Sequence, residues 1–219
     1  MSGELARKMI HLSSLAIPVA YSFLPKSTIL WVLLPMTAIA VIIDYGKFYI
    51  GGVDRFYKFL FGPILREHET DGTRKLLSGG SYVLISACLC IIIFPKVIAI
   101  TAFAVLIVSD ATSALIGRRF GKHAFFDKSL EGSIAFFVSA LLVISLAPKA
   151  AGSITEFFVA AFGALVGTIA EAMSTRLKLD DNFSVPCTIG ITMWIVYFLL
   201  SLTHDPSYVS LYRQLMQQP

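Results

Sequence analysis

Apolar residues dominate long stretches of the chain, and polar residues gather between them. Seven stretches are candidate membrane-spanning helices: 9–24, 28–43, 81–95, 97–117, 133–147, 156–174 and 184–203. A helix needs about 20 apolar residues to cross the hydrocarbon core, and fewer where polar ends reach the interface. The pattern therefore predicts an all-α, polytopic integral membrane bundle of about seven transmembrane helices, with residues 1–219 forming one domain.

The composition agrees with a membrane protein. Hydrophobic residues make up 56% of the chain and charged residues 15%, whereas soluble domains average about 25% charged residues. The absence of a long polar block argues against a separate soluble domain. Because no small-residue cleavage site follows Ala20–Pro25, we expect the first apolar stretch to be a retained span rather than a signal peptide.

Lysine and arginine predict the orientation of the bundle. With seven spans, fourteen of the eighteen Lys and Arg residues fall on the side that holds the N-terminus. The other side holds Lys26, Lys96, Lys149 and Arg213. Basic loops favour the cytoplasm, so we expect a cytoplasmic N-terminus. The net charge of +4 is spread over these loops, which favours membrane lipid headgroups over nucleic acid as a partner.

The segment between the second and third spans has a different pattern. Apolar residues recur there at helical spacing among charged ones, which predicts an interfacial helix lying on the headgroups. Its apolar positions are Val53, Phe56, Tyr57, Leu60 and Ile64. Gly62 and Pro63 should end it. The charged segment that follows is most simply a solvated loop, in which Arg66 and Glu69 are candidate site residues.

The stretch from Asp110 to Ser133 holds most of the candidate chemistry. Ala114, Gly117 and Gly121 follow Asp110 on one helical face, where small residues let a helix or a phosphate approach the backbone. Acids inside a membrane are costly and commonly functional. The structural alternative is a buried Asp110 paired with a loop arginine.

Lys128, Ser129, Glu131, Gly132 and Ser133 come at the start of the fifth span. Ser129 could simply cap that helix while Glu131 complements the helix dipole. Alternatively, exposed amides and Lys128 bind phosphate and Glu131 binds a metal ion. We favour phosphate, because capping alone leaves Lys128 and Gly132 unexplained.

A second group of polar residues follows at the same predicted membrane face. Gly163, Gly167 and Glu171 recur every four residues, so one helical face carries an acid towards its end. Asp180, Asp181 and Asn182 form a short loop whose oxygen atoms suit a hard cation, although such residues are also common in solvated turns. The three cysteines, Cys88, Cys90 and Cys187, fall within apolar spans, where packing is the expected role.

No Walker A or protein-kinase motif is present. The pattern Asp110-x-x-x-Ala114-x-x-Gly117-x-x-x-Gly121, followed by Lys128-Ser129-x-Glu131-Gly132-Ser133, resembles the core motif of the membrane CTP-transferase superfamily. This superfamily includes phosphatidate cytidylyltransferases and the CTP-dependent kinases for dolichol, phytol, farnesol and diacylglycerol. The resemblance covers most of the chain, including RKMIHL at the start.

The C-terminal motif selects a branch of that superfamily. Cytidylyltransferases have a Gly-His-Gly-Gly stretch followed by Asp-Arg and a further Asp, and this chain has no such stretch. Glu171 leads instead to Asp180, Asp181, Asn182 and Pro186, which is similar to the polyprenol and phytol kinases. The resemblance implies CTP as phosphoryl donor, Mg²⁺, and an isoprenoid alcohol as acceptor at the cytoplasmic face.

The resemblance also implies roles for individual residues. Asp110 and Glu131 would bind Mg²⁺, with Glu171, Asp180 or Asp181 at a second metal ion or the lipid hydroxyl; Asp181 or Glu171 would be the base. Lys128 and Arg118 would neutralise phosphate. Further nucleotide-contacting candidates are Ala114, Gly117, Gly121, Lys122, Ser129, Gly132, Ser133, Asn182, Arg66 and Glu69.

Three alternatives remain at this point. A diacylglycerol kinase and a cytidylyltransferase-like enzyme would use the same motifs. A small ion-coupled transporter would use Asp110 and Glu171 as ion sites, but the clustering of the acids at one membrane face, with basic loops beside them, argues against it. Oligomeric state stays open.

Overall fold

A computed structural model describes residues 2–61, 77–177 and 179–218. The described chain is almost wholly helical, which confirms the all-α prediction. The helices are α1 Ser2–Ser13, α2 Ala16–Phe23, α3 Lys26–Tyr49, α4 Gly51–Phe61, α5 Gly79–Ile93, α6 Lys96–Phe120, α7 Leu130–Leu146, α8 Ile154–Ala172, α9 Ser174–Leu177, α10 Asp181–Ser201 and α11 Pro206–Met216. A short antiparallel hairpin, β1 Ala124–Phe125 and β2 Lys128–Ser129, joins α6 to α7.

Four of the described helices are long and apolar enough to cross a membrane: α3, α6, α8 and α10. Helices α5 and α7 are apolar but shorter. The predicted first span, 9–24, is not one continuous helix, because α1 ends at Ser13 and α2 begins at Ala16. Ser14 donates its hydroxyl to the carbonyl of His11, a local bond that competes with helix continuation. An integral membrane bundle is supported, while the number of seven spans and the orientation stay predictions.

Helix α6 forms the centre of the bundle. It packs against α2, α5, α7 and α10, and its residues Ile98, Phe103 and Leu106 are fully or almost fully buried. The outward-facing residues are apolar too; Trp31 and Leu146 are 80% and 87% exposed. A surface of this kind is suited to lipid rather than water.

Helices α8 and α10 pack at close range through glycine. A Cβ atom on Gly167 would lie 2.4 Å from Cγ1 of Ile189, and one on Gly163 would lie 2.9 Å from Cγ of Met193. Without side chains at these two positions the helix backbones can approach closely. This contact places Glu171, near the end of α8, beside the start of α10.

At the opposite end of the bundle, three lysines that follow prolines bind helix carbonyl groups. Lys26 donates to the carbonyl of Ile92 at 2.8 Å, and Lys96 donates to that of Leu24 at 3.1 Å. Lys149 donates to the carbonyls of Ile144 and Ala147. These carbonyls are at or near helix ends, where intrahelical donors run out. We call this set, formed by Lys26, Lys96 and Lys149, the lysine caps.

The end of α3 is joined to α5 by a buried acid. Asp44 is 1% exposed, and its Oδ2 accepts hydrogen bonds from the backbone N–H and hydroxyl of Ser78 and from the hydroxyl of Ser81. Its Oδ1 lies 3.2 Å from Nζ of Lys47, which in turn lies 4.5 Å from the ring centroid of Tyr57 on α4. The predicted helix is confirmed over Gly51–Phe61. Its predicted end at Gly62, Pro63 and Ile64 lies outside the described residues, and its place on the headgroups stays a prediction.

Candidate active site

Charged side chains from three parts of the chain meet at the end of the bundle where α6 finishes. Lys128 on β2 contacts Oε1 of Glu171 on α8, and its Nζ lies 3.4 Å from Oδ2 of Asp181 on α10. Ser113, one turn after Asp110 on α6, donates its hydroxyl to the same Glu171 oxygen at 3.2 Å. The predicted convergence of Lys128, Glu171 and Asp181 is therefore present.

The electrostatic balance around Lys128 favours its charged form. Burial alone disfavours an ammonium ion, but the carboxylates of Glu171 and Asp181 outweigh burial and raise the pKa of Lys128 above its ordinary value. Asp110 also contributes to this field. Lys128 is thus a fixed positive charge at the mouth of the site.

Asp110 belongs to the same end of the bundle and binds the N-terminal helix. Nζ of Lys8 lies 2.9 Å from Oδ2 of Asp110, and Nε2 of His11 lies 3.7 Å from the same oxygen. The sequence places His11 one helical turn from Lys8 but does not identify Asp110 as their shared partner. The structural alternative for Asp110 was a pair with a loop arginine; among the described residues its cation is Lys8 of α1 instead.

One oxygen of Glu171 stands out in this cluster. The Glu171 side chain is 1% exposed, and its Oε2 makes no hydrogen bond within the described part of the chain. A buried carboxylate oxygen without a partner is costly. This atom is therefore placed to accept a proton or a hydrogen bond, or to bind a cation.

Glu131 makes contacts of a different kind from those predicted for it. Its Oε2 accepts the backbone N–H groups of Lys122 and His123, and its Oε1 lies 2.7 Å from Nδ1 of His123. These bonds, the one from His123 first, lower the pKa of Glu131 to about 2. Glu131 thus fastens the segment between α6 and β1 to the start of α7, and no described contact brings it to Asp110.

Two of the glycines predicted to contact phosphate lie around the Ser129 hydroxyl. A Cβ on Gly117 would lie 2.9 Å from Oγ of Ser129, and a Cβ on Gly121 would lie 2.7 Å from it. Ser129 caps α7 by accepting the N–H of Gly132 at 3.2 Å. The structure therefore shows the capping arrangement that the sequence left as an alternative, and the glycines permit the close crossing of α6 and α7.

The remaining candidate residues mostly make local contacts. Asp180 caps α10 by accepting both the backbone N–H and the side-chain amide of Asn182. Arg118 donates to the carbonyl of Ala114. Ser133 is buried, and its hydroxyl has no partner among the described residues. The candidates Arg66 and Glu69 lie outside the described residues.

The donor atoms fit magnesium by type. Among the described residues, no three His, Cys, Asp or Glu side chains form a ready metal cage. Mg²⁺ bound to a nucleotide commonly needs only one or two carboxylates, because phosphates and water complete its shell. The unpartnered oxygen of Glu171 and the carboxylates of Asp110 and Asp181 meet that smaller requirement.

Comparison with known proteins adds to this picture. No family model and no solved structure matches the chain significantly. The fold and site define a helical membrane protein with an ionic site at one end of its bundle. The chain belongs to the same family as the Rickettsia prowazekii protein titled "Uncharacterized protein RP860", to which it is 32% identical over 197 residues, 90% of this chain and 96% of that protein.

The more distant relatives have named activities. The CTP-dependent diacylglycerol kinase 1 of Schizosaccharomyces pombe is 26% identical over 166 residues, 70% of this chain and 74% of that protein. Dolichol kinase sec59 of the same yeast is 37% identical over 92 residues, 40% of this chain but 17% of that protein. A probable chloroplastic phytol kinase of Glycine max is a further homologue. These relatives are lipid kinases, which supports a lipid kinase here.

Proposed function

We propose that the protein is a membrane kinase that transfers the γ-phosphate of CTP to the hydroxyl group of a lipid alcohol at the cytoplasmic face. The observation that carries this proposal is the contact of Lys128 with the buried Glu171 and with Asp181, near the Asp110–Lys8 pair. Such a cluster supplies cations for a polyphosphate and carboxylates for a metal ion or a proton. Its relatives of known activity are kinases that act on lipids.

Phosphoryl transfer needs little covalent help, so positioning and charge neutralisation supply most of the catalysis. Within the described part of the chain, Lys128 and Lys8 are the lysines of this cluster, and the ammonium group of each already contacts a carboxylate. The phosphate oxygens of a nucleoside triphosphate would share these ammonium groups with the carboxylates of Glu171 and Asp110. Asp110 and Asp181 would hold Mg²⁺, which, when bound, neutralises phosphate charge.

Of the two candidate bases, Glu171 and Asp181, Glu171 is the better placed to accept the proton of the lipid hydroxyl. Its Oε2 has no hydrogen-bond partner among the described residues, and its Oε1 is fixed by Lys128 and Ser113. A base must lie within hydrogen-bond reach of the proton that it takes. The hydroxyl oxygen would then attack the γ-phosphorus as its proton passes to Oε2, and CDP would leave.

The acceptor is an isoprenoid alcohol in this proposal, as the C-terminal motif suggests. Diacylglycerol is the second candidate, because the diacylglycerol kinase aligns with 70% of this chain and the dolichol kinase with 40%. Both acceptors have a hydroxyl at the membrane boundary, attached to an apolar tail that lies within the membrane. The site therefore has the same chemistry for either one.

The test uses purified protein in lipid nanodiscs with Mg²⁺, γ-labelled CTP or ATP, and a panel of phytol, farnesol, dolichol and diacylglycerol. The expected result is label in the lipid with CTP as donor, and loss of that label in Asp110→Asn and Lys128→Ala. Asp54→Asn, on the exposed Asp54–Lys58 pair of α4, is the matched control and should keep full activity.

Three outcomes would overturn the proposal. Label released as pyrophosphate would indicate nucleotidyl transfer. Nucleotide-independent flux in proteoliposomes, with no lipid labelling, would indicate a transporter. Normal CTP-dependent labelling in both Asp110→Asn and Lys128→Ala would show that the site lies elsewhere.

A further inference from the structure

The β1–β2 hairpin is fastened to the junction between α8 and α9 at three points. Oδ1 of Asp127 accepts a hydrogen bond from Nε of Arg176 at 2.8 Å, and its Oδ2 accepts one from the Arg176 backbone N–H at 2.9 Å. The backbone N–H of Asp127 donates to the carbonyl of Ala172 at 3.1 Å. We call Asp127 and Arg176 together the hairpin clasp.

The turn of the hairpin has a conformation that requires support. Phe126 has a φ of 52°, a left-handed value that non-glycine residues adopt infrequently. The guanidinium of Arg176 lies 5.5 Å from the ring centroid of Phe126. Such backbone conformations persist where surrounding contacts hold them, and here the clasp provides those contacts on the C-terminal side of the turn.

The clasp lies directly beside the central contact of the site. Asp127 precedes Lys128 in the chain, and Ala172 follows Glu171. The hydrogen bond between Asp127 and Ala172 therefore ties together the two backbone segments that carry the Lys128 ammonium and its buried partner. A shift of about 1 Å in such a group can reduce a rate about a hundredfold, so control of this spacing has direct consequences for transfer.

We propose that Asp127 and Arg176 are positioning residues that set the place of the Lys128 ammonium against Glu171 and Asp181. This role rests on the proposed phosphoryl transfer. Neither residue touches the reacting atoms; both act through Lys128. The Arg176 side chain is 57% exposed, and exposed ion pairs contribute little to stability. Loss of the clasp should thus affect the position of Lys128 more than folding.

The kinetic test compares Asp127→Asn, Arg176→Gln and the double variant. Each single change should lower kcat about tenfold, and the double variant should also lose about tenfold, because the ionic bond from Arg176 Nε to Asp127 Oδ1 is lost in all three while the backbone bonds stay. The matched control is Asp54→Asn, which breaks another exposed aspartate–cation pair and should keep the wild-type kcat. Singles with wild-type kcat, or a double variant with a hundredfold loss, would overturn the proposal.

A second measurement needs no activity, so it separates failure of the clasp from failure of the proposed function. The protein is treated with an amine-reactive reagent, and the labelling rate of each lysine is followed by mass spectrometry. In the wild type, Lys128 should react slowly because Glu171 and Asp181 hold its ammonium. In Asp127→Asn and Arg176→Gln it should react several times faster, because a displaced Lys128 is held less firmly by the two carboxylates.

Two other lysines are internal references for this experiment. Lys58, 51% exposed, should react quickly in every variant, whereas Lys47, 3% exposed, reports any general loosening of the fold. Faster labelling of Lys128 with Lys47 unchanged supports the positioning role. An unchanged rate at Lys128, or equal acceleration at Lys47, would overturn it, whether or not the wild type transfers phosphate.

Discussion

The ammonium group of Lys128 contacts the carboxylate of Glu171, although 43 positions separate the two residues in the chain. Glu171 is almost inaccessible to solvent, while Lys128 is partly exposed on a hairpin. The contact thus joins a fixed acid inside the bundle to a cation carried by a surface element. It links the helical scaffold to the part of the site that a soluble nucleotide can reach.

Removal of Lys128 should destabilise the protein as well as inactivate it. Lys128→Met leaves Glu171 buried without its cation, and the free energy of unfolding should fall by about 3 kcal/mol. Adding Glu171→Gln removes the uncompensated charge and should restore at least half of that loss. Unfolding in mixed micelles measures both changes. Equal stability of the single and double variants would contradict the assignment, and neither variant should transfer phosphate.

Two aspartate–lysine pairs, each joining residues one helical turn apart, should contribute differently to stability because one is buried and the other is exposed. Asp44→Ala leaves Lys47, Ser78 and Ser81 without their buried acceptor and should cost about 3–5 kcal/mol. Asp54→Ala breaks the exposed pair with Lys58 and should cost less than about 0.5 kcal/mol. Thermal unfolding of both variants in the same detergent checks this difference; similar melting temperatures would refute it.

A methyl group added between α8 and α10 should destabilise the helix contact that places Glu171 beside the start of α10. Gly167→Ala places its Cβ against Ile189, and overpacking of this kind costs about 1–3 kcal/mol. Gly52→Ala is the matched control, because no atom lies within 4 Å of its Cβ; its effect should be neutral or slightly stabilising. Unfolding measurements give the magnitude, and a neutral Gly167→Ala would show that the helices can separate without cost.

Glu131 should contribute to stability in a pH-dependent way. The bond from His123, with bonds from backbone amides, lowers the pKa of Glu131 to about 2, below its ordinary value of 4.5. A depressed pKa means that the contribution is complete above about pH 4.5 and disappears as the pH falls towards 2. The difference in unfolding midpoint between wild type and Glu131→Gln should therefore be constant above pH 5 and shrink below it. A constant difference down to pH 2 would exclude this role.

The convergence of Glu171 and Asp181 could be predicted because it depends only on helical periodicity and on the alternation of apolar segments. Glycines four residues apart place Glu171 near one end of α8, and the next helix must start at that same end. Placing both acids at that end required no knowledge of side-chain detail.

The partners of Asp110, Glu131 and Asp44 could not be predicted in the same way. Each depends on a residue brought close by a turn or by a distant helix: Lys8 is 102 positions from Asp110, and Ser78 is 34 positions from Asp44. The role of Ser129 was open for a similar reason. A serine followed by a glycine fits both a helix cap and a phosphate site, and only the close crossing of α6 and α7 shows that its hydroxyl fills the space between the glycines.

Helix α11 was not predicted from the sequence. Its apolar face is short, with Leu211 and Leu215 buried, and it follows the last long apolar segment.

The lysine caps fix where the positive charge at their end of the bundle lies. Lys26, Lys96 and Lys149 donate to backbone carbonyl groups. These acceptors are neutral, so each ammonium keeps its charge but is held close to a helix end instead of moving with a free side chain. In a membrane, the three anchored cations should therefore define the depth at which this end of the bundle meets the phosphate layer.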